Sequence, residues 1–354
     1  MSTVLLPDQL DDFVNLTLEN IKRGTWVDIS LDYQYHIFAD KMFKKKGKTP
    51  EKGGSQLNWK VQVTNTGTAR FSELFDVDQT AVIDLTTEAK VPWCKSTVNF
   101  SYDVDEDVMQ TDRETIIKEI KIREHSMYND YFELMEEALW SFPAGTTTSP
   151  RTPYGIPYWI VKNDTEGFSG GDPSGHTGGP GGIDSDTYGN WKNYTFECTD
   201  VSEDDFIAKA IKACEFCKFR APRKYPELGG QGSDSNWGFY TTYSLLQKLE
   251  KYLRTANDNL GVDIAKYAGS VLLKGNTVTW VPYLEENDSE DPFYGINWNE
   301  FQYFFRKGRD MLRHPPKQRD AQHTVRVVHM DSWGNFSCYN RRKNFVGHFN
   351  SGVS

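Results

Sequence analysis

The sequence lacks the features that define several common classes of protein. No apolar run approaches the roughly 18 residues that a membrane-spanning helix needs, so no membrane span is expected. Cysteine is scarce and odd in number, with 5 in 354 residues, which argues against a disulfide framework. The opening Met1–Asp8 is too short and too soon acidic for a signal peptide. We therefore expect a protein that is made and used in a cytoplasm.

An excess of positive charge is also missing. The 50 Asp and Glu residues outnumber the 40 Lys and Arg residues and give a net charge of −10, whereas a dedicated nucleic-acid binder is usually basic. Each local basic cluster is therefore either a solvated face or a contact for nucleic acid or an acidic partner. The clusters lie at 306–319, at 341–343 and at Lys41, Lys44, Lys45 and Lys46.

Familiar motifs for catalysis and cofactor binding are incomplete. The glycine-rich stretch 170–182 is not followed by the Gly-Lys-Ser/Thr of a phosphate loop, and no G-x-G-x-x-G lies between a strand and a helix. None of the 7 histidines belongs to H-E-x-x-H, and no G-x-S-x-G is present. An enzyme would have to build its site in this loop, around His176 and Asp184. No catalytic residue, cofactor or metal site is predicted.

Two cysteines form a C-x-x-C pair, Cys214 and Cys217, inside a predicted helix. A redox pair normally lies at a strand-to-helix turn, and a zinc site needs a second pair of ligands. The spacing therefore favours two buried thiols that pack as small apolar groups, ahead of a redox pair or a metal site.

Aromatic side chains are abundant, with 10 Trp, 18 Tyr and 21 Phe. Such residues fill cores and anchor interfaces. Hydrophobic residues make up 38% of the chain, enough for a packed core, and the length suggests two or three lobes. Because the predicted elements show neither regular β-α-β alternation nor an internal repeat, the sequence indicates an α+β fold.

Two alternating segments, 55–64 and 91–104, predict strands that each have one apolar face. About 25 residues with several acidic groups separate them, which indicates an extended β-hairpin with a wide tip. An isolated two-stranded ribbon is marginally stable in water. We therefore expect this ribbon to bury little against its own chain and to lie on a neighbouring molecule.

The strongest predicted helix spans 112–142. Thr111 and Glu114 form a capping box at its start, and Pro143 ends it. At 1.5 Å per residue the helix would be about 45 Å long. We expect one face to pack on strands from 324–340; this face carries Ile116, Ile120, Met127, Tyr131, Leu134 and Ala138.

Shorter elements fill the rest of the chain. Helices are predicted at 8–23, 203–219 and 244–257, with Ser202 as the cap of the second. An acidic turn is predicted at 285–291. Short strands are predicted at 237–242, 270–274, 277–284, 324–330 and 334–340.

Four segments carry motif-like residues in a fixed order: Gly181–Asn193, then Ala213–Cys214 with Trp237–Leu246, then Leu273–Val281, then Ser332–Lys343. In this order they resemble the major capsid proteins of tailed bacteriophages, the family with the HK97 fold. The last segment is close to the family's terminal G-N-(L/F)-x-C-x-N-R-R. The motif positions are Gly182, Asp184, Trp191, Asn193, Asn340, Arg341 and Arg342.

The resemblance implies an α+β, HK97-like capsid fold in five parts. These are an N-terminal arm (1–45), an extended β-hairpin or E-loop (46–105), the spine helix of a peripheral domain (106–145), an axial domain with the glycine-rich loop (146–320), and return strands to the peripheral domain (321–354). In that fold Ile116, Ile120 and Leu134 belong to the core face of the spine helix.

The resemblance also implies a function. It is that of a head protein, not an enzyme, that self-assembles through hexamers and pentamers into an icosahedral shell around phage double-stranded DNA. Lys41, Lys44, Lys45 and Lys46 are then expected to face the DNA. Further partners would be a portal and scaffolding or decoration proteins, with no membrane. The protein would be assembled in the host bacterial cytoplasm and reside in the virion capsid. Another virion structural protein is the alternative, with an enzyme less favoured.

Overall fold

A computed structural model of the chain describes residues 36–43, 48–51, 54–74, 84–105, 113–144, 151–176, 178–217, 237–256, 271–274, 276–320 and 322–350. Its architecture is α+β, as predicted. The predicted helix at 8–23, Lys44, Lys45, Lys46 and the side chain of Ile116 lie outside the described residues.

The strands are β1 (Lys48–Glu51), β2 (Gln56–Gln62), β3 (Thr86–Pro92), β4 (Cys94–Asp103), β5 (Gly167–Gly170), β6 (Asn193–Cys198), β7 (Trp237–Thr241), β8 (Leu272–Leu273), β9 (Asn276–Trp280), β10 (Phe293–Asn297), β11 (Phe301–Arg306), β12 (Leu312–Arg313), β13 (Lys317–Arg319), β14 (Gln322–Cys338) and β15 (Phe345–Phe349). The α-helices are α1 (Arg113–Trp140), α2 (Ile156–Trp159), α3 (Ala208–Cys217), α4 (Tyr243–Ala256) and α5 (Pro282–Asn287). None of the helices in the described ranges is long and apolar enough to cross a membrane.

The chain divides into two compact units. The first unit contains Ser96–Leu134 and Gly308–Ser332, and the second unit contains Ile37–Lys95, Met135–Lys307 and Trp333–Ser354.

In the first unit, β4, β12 and β13 all pair with the leading part of β14. Helix α1 packs on these strands, as predicted. The hydroxyl of Tyr131 donates to Ser332 Oγ at 3.2 Å, and Arg123 donates to the carbonyl oxygen of Ser101 at 3.4 Å. Met127 and Tyr131 are each 1% exposed.

The buried face of α1 differs from the predicted one. Its fully buried residues recur every fourth position, at Met127, Tyr131, Met135 and Leu139. Leu134 is 43% exposed, so its placement in the core was wrong. Each residue turns the helix by about 100°, so Leu134 lies well away from the stripe that Met135 continues. Ile120, at the other end of the face, is half-buried.

The predicted strand at 91–104 is two strands. β2 pairs with β3 in antiparallel register, from Gln56 opposite Pro92 to Gln62 opposite Thr86, whereas β4 pairs with β14. Pro92 has no N–H to donate to a ladder. The alternation of buried and exposed side chains also breaks after Pro92, because the consecutive residues Trp93 and Cys94 are both buried. The ladder of the hairpin therefore ends at Pro92.

The second unit is built on a seven-stranded sheet in the order β5-β6-β15-β10-β7-β9-β8. Helices α3 and α4 contribute to the apolar core of this unit, which is rich in phenylalanine. Two glycines in central strands face aromatic rings directly. A Cβ at Gly295 would collide with the ring of Phe345, and one at Gly347 would collide with the ring of Phe196. These positions accept glycine because a neighbouring ring covers the backbone.

Most elements of the second unit follow the predictions. β7 and α4 lie where they were expected, and Ser202 accepts from the backbone N–H of Asp205 as a helix cap. A wide π-type turn at Glu203–Ile207 precedes α3. The predicted strand at 277–284 ends at Trp280, because Pro282 begins α5, and this helix also takes up the first part of the predicted acidic turn.

Leu139→Ala is expected to lower the free energy of unfolding by about 2–5 kcal/mol, since it leaves a cavity at a fully buried position. Leu134→Ala, on the same helix but exposed, is the control and should change it by less than about 1 kcal/mol. Urea unfolding of the purified subunit measures both. Equal losses would contradict the observed helix face.

Candidate functional site

The motif residues converge on one buried guanidinium in the second unit. Arg341 has no exposed surface, and each of its three side-chain nitrogens donates hydrogen bonds. Its acceptors, 2.5–3.3 Å away, are the carbonyl oxygens of Trp159, Trp191, Gly170 and Gly171 and the side-chain oxygen of Asn193. The ring of oxygens thus joins three separate segments of the chain to the segment of Arg341.

Asn193 is the side chain that closes this ring. Its Oδ1 accepts from Arg341 and from the backbone N–H of Val161 at 3.0 Å, and its Nδ2 donates to the carbonyl of Val161 at 2.9 Å. The amide occupies the space that a Cβ at Gly170 would need. Glycine at 170 is therefore required by the close approach of Asn193.

The glycine-rich loop is held beside this ring. The indole of Trp191 donates to the carbonyl of Pro180 at 2.9 Å, and the backbone N–H of Gly181 donates to the hydroxyl of Tyr158 at 2.9 Å. Gly182 follows in the same turn with φ +74°, a conformation that favours glycine. The loop is thus fixed by hydrogen bonds to an indole and a phenol group.

The remaining motif residues serve local structure at the margin of the site. Asn340 accepts from the backbone N–H of Arg342 at 3.0 Å. The guanidinium of Arg342 lies 4.0 Å above the ring of Phe168 and donates to Asn190 Oδ1 at 2.8 Å. Asp184 accepts from the backbone N–H of Asp186 at 2.8 Å and from the hydroxyl of Thr187 at 2.7 Å. These bonds hold the pKa of Asp184 below its ordinary value.

The chemistry around Arg341 is that of a structural centre. Burial lowers its pKa to about 10, and no described carboxylate hydrogen-bonds to it. The cation is instead solvated by backbone and amide oxygens, as water would solvate it. Because the group is wholly enclosed, it is positioned to hold segments together and not to bind a ligand.

His176 lies in an aromatic box of the second unit. The rings of Phe142, Tyr154 and Tyr158 stand at 5.5, 5.6 and 4.8 Å from its own. Neither ring nitrogen makes a hydrogen bond of normal geometry to a described residue. Burial lowers the pKa of the ring, against a smaller effect of the Pro143 carbonyl. His176 is buried among aromatic rings and Asp184 accepts hydrogen bonds within its own turn, so no described contact pairs the two side chains as an enzyme site would require.

The cysteines are buried, as predicted for Cys214 and Cys217, which are each 1% exposed. All five are free thiols. Burial raises the pKa of Cys94 and Cys198 to about 12 and that of Cys217 well above its usual value. Among the described residues, no group of three His, Cys, Asp or Glu side chains is arranged to hold a metal ion.

The β2–β3 hairpin has a base that packs on its own unit, contrary to the expectation that it would bury little there. The ring of Trp59 lies 6.1 Å from that of Trp159 and 5.9 Å from that of Tyr339. Ala89 and Val91 on β3 are fully buried. The apolar face of the hairpin therefore packs on the second unit of the same chain and anchors the hairpin there. This contact was not predicted.

Beyond this base the chain is open to solvent. We call residues 65–74 the tip segment; all of them are exposed, and Phe71 and Leu74 are 106% and 89% exposed. These exposed apolar side chains make the segment a candidate interaction site. Of the predicted basic cluster, Lys41 is half-buried and pairs with Asp40 at 3.4 Å.

Arg341→Lys is expected to lower the free energy of unfolding by about 3 kcal/mol or more, since an ammonium cannot reach acceptors on every side and a hydrogen bond to a charged group is worth about 1.5–3 kcal/mol. Arg342→Lys, at the margin, is the matched control and should cost less than about 1 kcal/mol. Denaturant unfolding of the wild type and the two variants measures these differences in the free energy of unfolding. A similar small loss for both would show that the guanidinium fork is dispensable.

His176 is expected to make stability depend on pH. Its folded pKa lies below the ordinary 6.5, so the unfolded chain takes up the proton first. The stabilisation is complete above the unfolded pKa and declines as pH falls below it, by at most about 1.4 kcal/mol per pH unit. When the pH is lowered from about 8 to about 5, the melting temperature of His176→Phe should therefore fall by less than that of the wild type.

The control is His323→Phe, at an exposed position. It should keep the pH dependence of the wild type. If His176→Phe also kept the pH dependence of the wild type, burial of the imidazole would have no effect on how stability changes with pH.

The chain is similar to known proteins in its three-dimensional structure but not detectably in its sequence. The chain matches no protein-family model, and no curated protein matches it. A chain of the cyanophage A-1(L) capsid asymmetric unit has TM-score 0.59 and 11% identity, over 96% of this chain and 99% of that one. The capsid of the empty GTA particle has TM-score 0.56 and 10% identity, over 92% and 99%. The mature capsid of bacteriophage PhiM1 has TM-score 0.51 and 9% identity, over 92% and 91%. Together with the sheets and helices described above, this likeness shows that the chain has the fold of phage capsid proteins.

Proposed function

We propose that this chain is the major capsid protein of a tailed bacteriophage, which self-assembles into an icosahedral shell around packaged double-stranded DNA. One observation carries the proposal: the structural match to a phage capsid chain covers 96% of this chain and 99% of the other. The similarity extends over nearly the whole of both chains, and the matched chain belongs to a capsid asymmetric unit. The proposed role is therefore structural, without turnover.

The five HK97-type parts belong to this proposal. The hairpin of β2 and β3 lies within the proposed E-loop (46–105), and α1 lies within the proposed spine-helix part (106–145). Six strands of the seven-stranded sheet lie within the proposed axial domain (146–320), while β15 comes from the return segment (321–354). The N-terminal arm (1–45) is proposed from the resemblance.

The tip segment is proposed to contact a neighbouring copy in the shell. Its apolar side chains have no cover from the described residues of their own chain. Burying a large apolar side chain gains about 1.5–3 kcal/mol, which favours a partner at this position. Closed shells need heterologous contacts that close on symmetry, and an arm anchored at its base is suited to make one.

The partners and location follow from the same proposal. Copies form hexamers and pentamers, the phage genome lies inside, and a portal with scaffolding or decoration proteins completes the head. Assembly takes place in the host bacterial cytoplasm. The cluster of Lys41, Lys44, Lys45 and Lys46 is proposed to face the DNA, although the pairing of Lys41 with Asp40 reduces what that residue offers to phosphate.

Electron microscopy of the purified protein, expressed with and without phage head proteins, tests the function. We expect closed shells or capsomers of sixfold and fivefold symmetry. A discrete small oligomer under every assembly condition would overturn the proposal.

Phe71→Ser combined with Leu74→Ser is expected to lower the yield of assembled particles by about thirtyfold, if about 2 kcal/mol of apolar contact is lost at each interface. The melting temperature of the unassembled subunit should stay unchanged, because both side chains are exposed there. Sedimentation measures the yield. Leu253→Ser, at a 43% exposed leucine outside the hairpin, is the control. Normal yield from the double variant would remove the tip segment from the assembly contacts.

A further inference from the structure

The glycine-rich loop begins with a short segment that is fixed at its start. We call residues 171–176 the clasp segment. Arg341 donates to the carbonyl oxygen of Gly171 at 2.9 Å, and the backbone N–H of Ser185 donates to the carboxylate of Asp172 at 3.1 Å. These bonds hold the first two residues of the clasp segment in place within the second unit.

The far end of the clasp segment is attached through an ionisable side chain. His176 is 5% exposed and occupies the aromatic box, whereas its neighbours Ser174 and Gly175 are exposed. Pro173 is buried as well, but it carries no group that can change its charge. The part of this attachment that can respond to pH is therefore the imidazole.

The aromatic box suits a neutral imidazole better than a charged one. A protonated ring has two N–H donors, yet neither ring nitrogen of His176 makes a hydrogen bond of normal geometry to a described residue. The carbonyl of Pro143 favours the charged form, but its effect on the pKa of His176 is smaller than that of burial. A buried charge without sufficient partners is costly.

The other ionisable groups around the box do not supply a counter-ion. These groups are Tyr154, Tyr158, Cys94, Arg151, Arg341 and Asp172. Burial raises the pKa of the two phenols and of the thiol, so all three are uncharged at neutral and acid pH. The two arginines disfavour a further positive charge. The carboxylate of Asp172 accepts from Ser185 and makes no described bond to His176.

We propose that His176 is an acid-sensitive clasp. When the imidazole takes up a proton, it leaves the aromatic box for water, and residues 173–176 detach while the second unit stays folded. Local opening of this kind is typical of segments with few buried contacts. Histidine suits the task because its charge changes between about pH 5 and about pH 8. The clasp works within one subunit and is independent of assembly.

The opening should not extend to Pro180. The backbone N–H of Gly181 donates to the hydroxyl of Tyr158, and the indole of Trp191 donates to the carbonyl of Pro180, both at 2.9 Å. Neither bond involves His176, and neither contains a group that gains or loses a proton between pH 5 and pH 8. The second half of the loop should therefore keep its place at acid pH.

A competing effect has the opposite sign. The face of an aromatic ring attracts a cation, and three rings surround His176. If this attraction exceeded the cost of burial, acid would hold the clasp segment more tightly instead of releasing it. The direction of the change with pH therefore distinguishes the two effects.

Hydroxyl-radical footprinting with mass spectrometry tests the proposal on the purified subunit at pH 8 and pH 5. Tyr154 and Tyr158 are 7% and 2% exposed, so they should be modified only when His176 leaves the box. Their modification, relative to the exposed Tyr243, should rise by about threefold or more at pH 5. The upper limit is about thirtyfold, since each pH unit below 6.5 favours release by at most about tenfold.

Two buried residues in the same sample show how far the opening extends. Trp191 is 4% exposed and reports on the second half of the loop, while Tyr294 is fully buried in the sheet and reports on the unit as a whole. Neither should gain modification between pH 8 and pH 5. A parallel rise at Trp191 or Tyr294 would show that the loop or the unit opens as a whole, which contradicts a local clasp.

Variants identify the group that takes up the proton. His176→Phe keeps a ring in the box but cannot be protonated, so Tyr154 and Tyr158 should stay protected at both pH values. His323→Phe, at an exposed position, should keep the response of the wild type. Asp172→Asn should keep it too, because the amide oxygen can still accept from Ser185.

The other outcomes overturn the proposal. Constant or reduced modification of the wild-type tyrosines at pH 5 would show that the charged ring stays in the box. A response that persists in His176→Phe, or disappears in Asp172→Asn, would assign the proton to another group. If His176→Phe already exposes both tyrosines at pH 8, His176→Leu replaces it. If that variant exposes them as well, the wild-type midpoint decides, and a midpoint above pH 6.5 would contradict the clasp.

Discussion

The second unit depends on solvating one buried cation without water. Removing a guanidinium from solvent is costly, so Arg341 is tolerated only while carbonyl and amide oxygens surround it. Those oxygens belong to segments far apart in sequence, around Trp159, Gly170 and Trp191. A displacement of any one of them would leave the charge incompletely bonded. The cation therefore makes the positions of these segments interdependent, and this explains why motif residues from separate blocks meet at one point.

The hairpin shows how one element can serve both folding and assembly. Its base is bound to its own unit by aromatic contacts of Trp59, while the tip segment has none of this cover. Substitutions at the base and in the tip segment should therefore have independent effects, because residues that share no partners contribute additively to stability. An arm held in this way also presents its tip at low entropic cost, since the base fixes its direction before any partner arrives.

Elements with one buried face were easier to predict from the sequence than strands buried on both faces. β2 alternates between apolar and polar residues and was found, as was α4 with its apolar stripe. β10 and β15 are buried at every position, so neither shows the alternation that identifies a strand, and both were missed. Leu134 was misplaced because three-residue and four-residue spacings both fit a helix face, and tertiary packing alone selects one. The motif residues at Asn193 and Arg341 were identified by resemblance, but their hydrogen bonds depend on how distant segments meet.

The burial of every cysteine has a practical consequence for chemistry on this protein. A thiol must ionise to react, and burial keeps Cys94, Cys198 and Cys217 protonated and out of reach of reagents. The cysteines of the folded native chain should therefore react very little with maleimide reagents. A cysteine introduced at Ser72, in the tip segment, would be the reactive one, without prior removal of the others. Dyes or cargo could then be attached at a single chosen point on each copy.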